Sequence, residues 1–145
     1  MRTIRFRAQD IASNKWLYGD LRHHKDDVCI FEQGGMKGEQ VKRDTVGQFT
    51  GLRDINGKDI YEGDILRSPS GNIVAVKFGY KEHIVKHGWP YITDSFACYG
   101  WIARNVKKSI TDFFDNEFAA GEVIGNIYDN PELIAEDLNI QIKED

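Results

Sequence analysis

The chain has 145 residues, the size of one domain and long enough for an ordinary hydrophobic core without staples. Its 41% hydrophobic and 29% charged residues are those of a globular protein and exclude a disordered one. A net charge of −4 with histidine neutral argues against a dedicated duplex-DNA binder, whose affinity comes from a basic excess, and leaves room only for a local basic patch.

The opening MRTIRFRAQD has neither the apolar core nor the small-residue cleavage site of a signal peptide. No apolar run approaches the roughly 18 residues that cross a bilayer, so a cytosolic protein without membrane contact is expected. Ile4 and Phe6 alternate with Arg5 and Arg7, the period of a half-buried strand. After a polar turn at 13–14, residues 15–21 and the apolar run 28–31 read as two further strands. The glycines of 33–38 make that stretch a loop. Cys29 and Cys98 are far apart and fit no metal or redox spacing. Both sit among apolar or aromatic neighbours and are expected to be buried reduced thiols, with a disulfide as the alternative.

Residues 45–52 lead into Asn56-Gly57, the strongest short turn signal in the chain. Residues 59–67 and 72–78, separated by Ser68-Pro69-Ser70-Gly71, read as a β-hairpin. From 80 to 105 aromatics mix with polar residues, and 89–92 and 96–102 read as two short strands. Ile110, Phe113, Phe114 and Phe118 recur at helical spacing and predict a short helix. Residues 122–128 form a last strand. Asn130 as N-cap, Pro131 at the first helical position and Glu132 beside the positive helix end then predict a helix to about Leu138, followed by a frayed tail at 141–145. Many short strands between Gly and Asn turns, with one terminal helix, make a mainly β domain of barrel or sandwich type.

No motif carries catalysis. Asp54, Asn56, Asp59, Glu62 and Asp64 are oxygen-rich, but counted from Asp54 the glycine falls at position 4 and Asp59 at position 6, where a calcium loop needs Gly at 6 and Glu at 12. Solvated turn carboxylates are expected instead. His83 and His87 are four apart without the neighbouring Glu of a zinc helix, and with His23 and His24 they read as surface histidines. There is no Gly-x-Ser-x-Gly elbow, no Walker A loop and no dinucleotide fingerprint. Catalytic, cofactor and metal residues are therefore assigned to none. In an uncatalogued enzyme, Asp54, Asp59, Glu62, Asp64 and His87 would be the nominees.

A single-stranded nucleic-acid surface can be drawn from Arg5, Arg7, Trp16, Tyr18, Arg53 and Trp89, with arginines along one strand face and aromatics to stack bases. Arg2, Arg22, Lys42, Arg43, Tyr91 and Trp101 could extend it. The competing reading places the aromatics in the core and the arginines on solvated strand faces. Gly51, Gly57 and Gly63 fall six apart where turns are expected, and Gly supplies positive φ there. Asp64 is expected to bond nearby backbone N–H groups, and Tyr61 to bury its ring with its hydroxyl bonded or wet.

The blocks 4–8, 16–19, 46–52, 54–65 and 122–133 together resemble the YopX family, in order and over nearly the whole chain. The resemblance implies a phage- or prophage-encoded accessory protein in the bacterial cytoplasm, with an SH3-like small β-barrel core. It implies one domain over 1–145, with about 1–44 as an N-terminal β extension and about 45–138 as the barrel core plus C-terminal helix. Gly125, Asn130 and Pro131 join Gly51, Asn56, Gly57, Tyr61, Gly63 and Asp64 as its structural motif, and it supplies no catalytic residues. The expected function is non-enzymatic: binding of a host or phage protein, or self-assembly into a homo-oligomer through edge strands. Single-stranded nucleic-acid binding is the runner-up.

Overall fold

The computed structural model describes residues 1–108, 110–114 and 116–135. The chain is mainly β, in two antiparallel sheets. The first holds β1 (Phe6–Gln9), β2 (Trp16–His24), β3 (Asp27–Phe31), β4 (Gly38–Gln40), β5 (Gly47–Arg53) and β6 (Asp59–Tyr61), in the order β4-β3-β2-β1-β5-β6. The second holds β7 (Asp64–Arg67), β8 (Ile73–His87), β9 (Ile92–Asn105), β10 (Thr111–Phe113) and β11 (Glu122–Asn126), in the order β10-β9-β8-β7-β11. Neither sheet closes into a barrel among the described residues.

Local chemistry sets the turns. At the tip between β5 and β6, the Asp54 carboxylate accepts the N–H groups of Asn56 and Lys58, both at 2.9 Å, and Gly57 takes a φ of +79°. Between β6 and β7 the chain reverses over Glu62-Gly63, with Gly63 at φ +89°. A side chain there would meet the Tyr128 ring at 3.3 Å, so both backbone and packing favour glycine. Ile60, Leu66, Val74, Val76, Ala103 and Phe118 pack on one side of the second sheet, and Ile65, Ala75, Val106, Ile127 and Ile134 on the other.

Three aspartates in turns join the first sheet to the second. Asp64, at the start of β7, forms an ion pair at 2.7 Å with Arg7 of β1 and accepts the Tyr61 N–H at 2.8 Å. Both partners are buried, Arg7 being 5% exposed and Asp64 1%. The guanidinium lies over the rings of Trp16 and Tyr61, 4.7 and 5.0 Å from their centroids, and also donates to the Glu62 carbonyl. Asp54 reaches across to the N–H of Val123 at 3.0 Å, beside a backbone bond from Ile55 to Gly121. Asp129 accepts from Gln9 and from the Trp16 indole, at 3.0 and 2.8 Å.

Several sequence expectations need correction. The arginine face of the first strand points inward at Arg7, because the second sheet covers that side. Residues 80–105 are not loops and short strands but the outer part of one continuous hairpin, β8–β9, and 89–91 lie in its turn. Phe113 belongs to β10, and only Asn116–Ala119 is helical (α1), with Phe118 buried and stacked on Phe114. Helical spacing arose there from a strand and a single turn that share one core. Asn130 makes no side-chain cap. Its Oδ1 accepts from the Asn126 N–H, and Pro131–Leu133 is a 3-10 turn that ends in extended backbone at Ile134. Residues 134–135 are not helical, and the rest of the expected helix, with the tail, lies outside the described residues. Cys29 is half-buried, Cys98 is exposed, and both are free thiols.

Two outcomes test the joints. Arg7→Met leaves the Asp64 charge buried without its partner and should cost about 3–5 kcal/mol in urea unfolding. Arg7→Met/Asp64→Asn, which keeps an acceptor for the Tyr61 N–H, should recover most of that loss. Burial acts to raise the Asp54 pKa, but the N–H groups of Val123, Lys58 and Asn56 outweigh it and hold the carboxyl below its ordinary 3.8. A carboxylate depressed on folding contributes stability above its unfolded pKa and loses it as pH falls through its folded one. The stability gap between the parent and Asp54→Asn should therefore close as pH falls below about 4, and a pH-independent gap contradicts this.

Candidate functional site

The most exposed apolar structure is the outer half of the β8–β9 hairpin. β7 pairs with β8 only over 73–75, and β10 pairs with β9 only over 102–104. Beyond these, among the described residues, 79–87 and 92–100 pair only with each other. Nine residues on the first strand project roughly 30 Å at about 3.3 Å per residue.

Alternation fixes what each face of this ribbon carries. Phe78 stands opposite Trp101, and Tyr80 opposite Tyr99, with ring centroids 5.2 and 5.3 Å apart. Ile84 continues that face towards the tip. At the turn, Gly88 takes φ +77°, the Trp89–Pro90 peptide is cis, and Trp89 packs edge-on against Tyr91 at 5.4 Å. His87 and Asp94 pair at 2.6 Å behind them. Trp89 is 85% exposed, Tyr99 75% and Tyr91 67%. The projecting stretch 78–101 carries Lys81 and Lys86 against Glu82 and Asp94, so it is neutral apart from its histidines.

The residues proposed for nucleic acid separate into two places. Arg5, Arg7 and Tyr18 meet with Lys58, Asp59 and Tyr61 around an open depression of about 290 Å³. Arg53 joins them by donating to Asp59 at 3.0 Å, and Arg5 pairs with the same carboxylate and donates to the Tyr61 hydroxyl at 2.7 Å. Trp16 lies behind Arg7, half-buried against Tyr128. Trp89 stands apart on the tip of the second sheet's hairpin. Tyr18, an edge-on neighbour of Tyr61, is the exposed ring of the depression.

The enzyme nominees also divide. Asp54 and Asp64 are buried joints, Asp59 is shared by two arginines, and His87 is at the hairpin tip. Glu62 faces Lys77, and burial raises the first and lowers the second, each opposed by the other's charge. Burial, with the charges of Glu62 and Asp44 added, pushes the Tyr128 hydroxyl up to about 12, and it donates to the Asp44 carbonyl at 2.8 Å. Of these, Lys77 is buried and Glu62 and Tyr128 are half-buried. Among the described residues, no group of three or more His, Cys, Asp and Glu is placed to hold a metal ion, and no helix is long and apolar enough to cross a membrane.

A third feature was not anticipated. β3 pairs with β2 from Asp20 onwards, so among the described residues Trp16, Leu17 and Tyr18 have β1 on one side and no strand on the other. A cleft of about 520 Å³ opens there, lined by these residues with Ile30, Glu32, Gly35, Met36, Lys37 and Glu39. Its sequence trace is the exposed Met36 inside a glycine loop. The hairpin had a trace as well: aromatics two apart at 78 and 80 and again at 99 and 101, symmetric about Trp89-Pro90-Tyr91.

A family model described as YopX protein matches residues 5–135. No curated protein matches the chain.

Acrylamide quenching checks the tip. Trp89→Ala should remove most of the readily quenched tryptophan emission while shifting stability by less than about 0.5 kcal/mol. Retention of the accessible emission would place Trp89 against the body.

Proposed function

The chain belongs to the YopX family, and we propose that it is a non-enzymatic binding module that grips a protein through the projecting β8–β9 hairpin. The observation that carries this reading is the exposure of Phe78, Tyr80, Tyr99, Trp89 and Tyr91 on a ribbon that no third strand joins among the described residues. A two-stranded ribbon is marginal in water alone, and exposed aromatic rings are what protein interfaces bury at their centres. The phage or prophage setting, the bacterial cytoplasm and an SH3-like kinship of the core rest on the family resemblance.

Single-stranded nucleic acid is the second reading, favoured by the meeting of Arg5, Arg7, Lys58 and Tyr18 in one depression. It ranks lower because Arg7 is committed to Asp64, and Arg5 and Arg53 to Asp59. The aromatic hairpin itself lacks the row of cations that displaces counterions from phosphate.

Tryptophan fluorescence titrated with short single-stranded DNA and RNA, at low and moderate salt, separates the two. The protein-binding reading expects no saturable quenching. Saturable quenching that weakens with added salt would put nucleic acid first.

A further inference from the structure

We propose that the protein the hairpin grips is a second copy of this chain, with Trp89 and Tyr91 of one copy seated in the cleft beside Trp16–Tyr18 of the next. This rests on the protein-binding reading of the hairpin and names its partner.

The two surfaces fit each other in shape. The tip is a knob of two packed aromatic rings, and aromatic anchors in pockets are the usual centres of interfaces. The cleft, at about 520 Å³, is within the roughly 300–1,000 Å³ of clefts that bury compact apolar groups. Leu17, Ile30 and Met36 supply apolar walls, and Met is the side chain most able to reshape around a ring. The cleft also lies along the strand-free side of β2, where an incoming extended segment can add to the sheet.

The charges match as well. His87 holds Asp94, which leaves Lys86 as the charge beside the knob. The cleft is rimmed by Glu32 and Glu39, with Lys37 drawn to Glu39 at 3.5 Å. Lys86 beside the knob is thus opposite in sign to Glu32 and Glu39 at the cleft, which favours this orientation of the contact. A chain cannot fill its own cleft in this conformation, since its Trp89 stands exposed in solvent. Tip and cleft are different patches, so two copies can exchange tips in a closed pair or successive copies can build a ring or filament.

Light scattering over a concentration series tests this with two variants altered only at exposed residues: Trp89→Ser at the tip and Glu32→Arg/Met36→Arg at the cleft. The parent should grow in mass with concentration, and each variant alone should stay monomeric with the parent's urea midpoint. An equimolar mixture of the two variants should give a one-to-one pair and nothing larger, because one intact tip then meets one intact cleft. A parent that stays monomeric throughout, or a mixture that stays monomeric, overturns self-docking. A monomeric parent that is also indifferent to DNA leaves the protein-binding reading standing, whereas salt-sensitive quenching by DNA removes that reading itself.

Discussion

A buried guanidinium on β1 meets a buried carboxylate at the start of β7, and this contact sets the relation of the two sheets. Taking both charges out of water is costly, and their attraction repays it only with good geometry and satisfied remaining atoms. Here Asp64 also receives the Tyr61 N–H, and the guanidinium is held between the Trp16 and Tyr61 rings. Among the described residues the Arg7 Nε is the one buried side-chain polar atom left without a partner. Because a sliding of one sheet over the other would strand both charges, the pair favours a single docking of the sheets. Asp54 and Asp129 repeat the device with neutral donors, each a turn carboxylate that accepts N–H groups from across the joint.

The hairpin stands outside this system. The body orders its backbone against buried apolar clusters, which offsets the entropy of fixing each residue. Among the described strands, residues 79–87 and 92–100 pair only with each other, with aromatic pairs on one face and Lys81 donating to the Thr111 carbonyl at the base. A segment with few buried apolar contacts belongs to the low-stability end of a fold, where binding elements are drawn from. In the proposed function a partner completes this segment by covering its aromatic surface.

Much of the body was legible in the sequence, for physical reasons. Alternation revealed the strand at Phe6–Gln9, and Gly57, Gly63 and Gly71 sit at positive φ in turns that their sequences announce. Alternation could not reveal that Arg7 faces inward, because a second sheet covers the side that a lone amphipathic strand would give to water. The long hairpin was illegible as one unit because a ribbon solvated on both faces has no single buried stripe. Its apolar residues follow aromatic pairing across the strands rather than a core period. The Phe-rich stretch misled in the opposite direction: Phe113, Phe114 and Phe118 owe their spacing to a strand end and one helical turn. Asn130 has the chemistry of an N-cap, but Gly125 brings the backbone so close that its side chain bonds Asn126 instead. Arg5, Arg7 and Arg53 lie near one another in the folded chain. The carboxylate partners of Arg5 and Arg7, Asp59 and Asp64, come from distant sequence and could not be paired with them by spacing.

The claim that the hairpin is an arm completed by another molecule of the same chain is tested most directly by amide hydrogen exchange at two protein concentrations. The account predicts that amides of 79–87 and 92–100 exchange far faster than those of β1, β5 and β7 when dilute, and gain protection as the protein is concentrated, with the body unchanged. Hairpin amides as protected as the body in dilute solution, or equally unprotected at both concentrations, would contradict it.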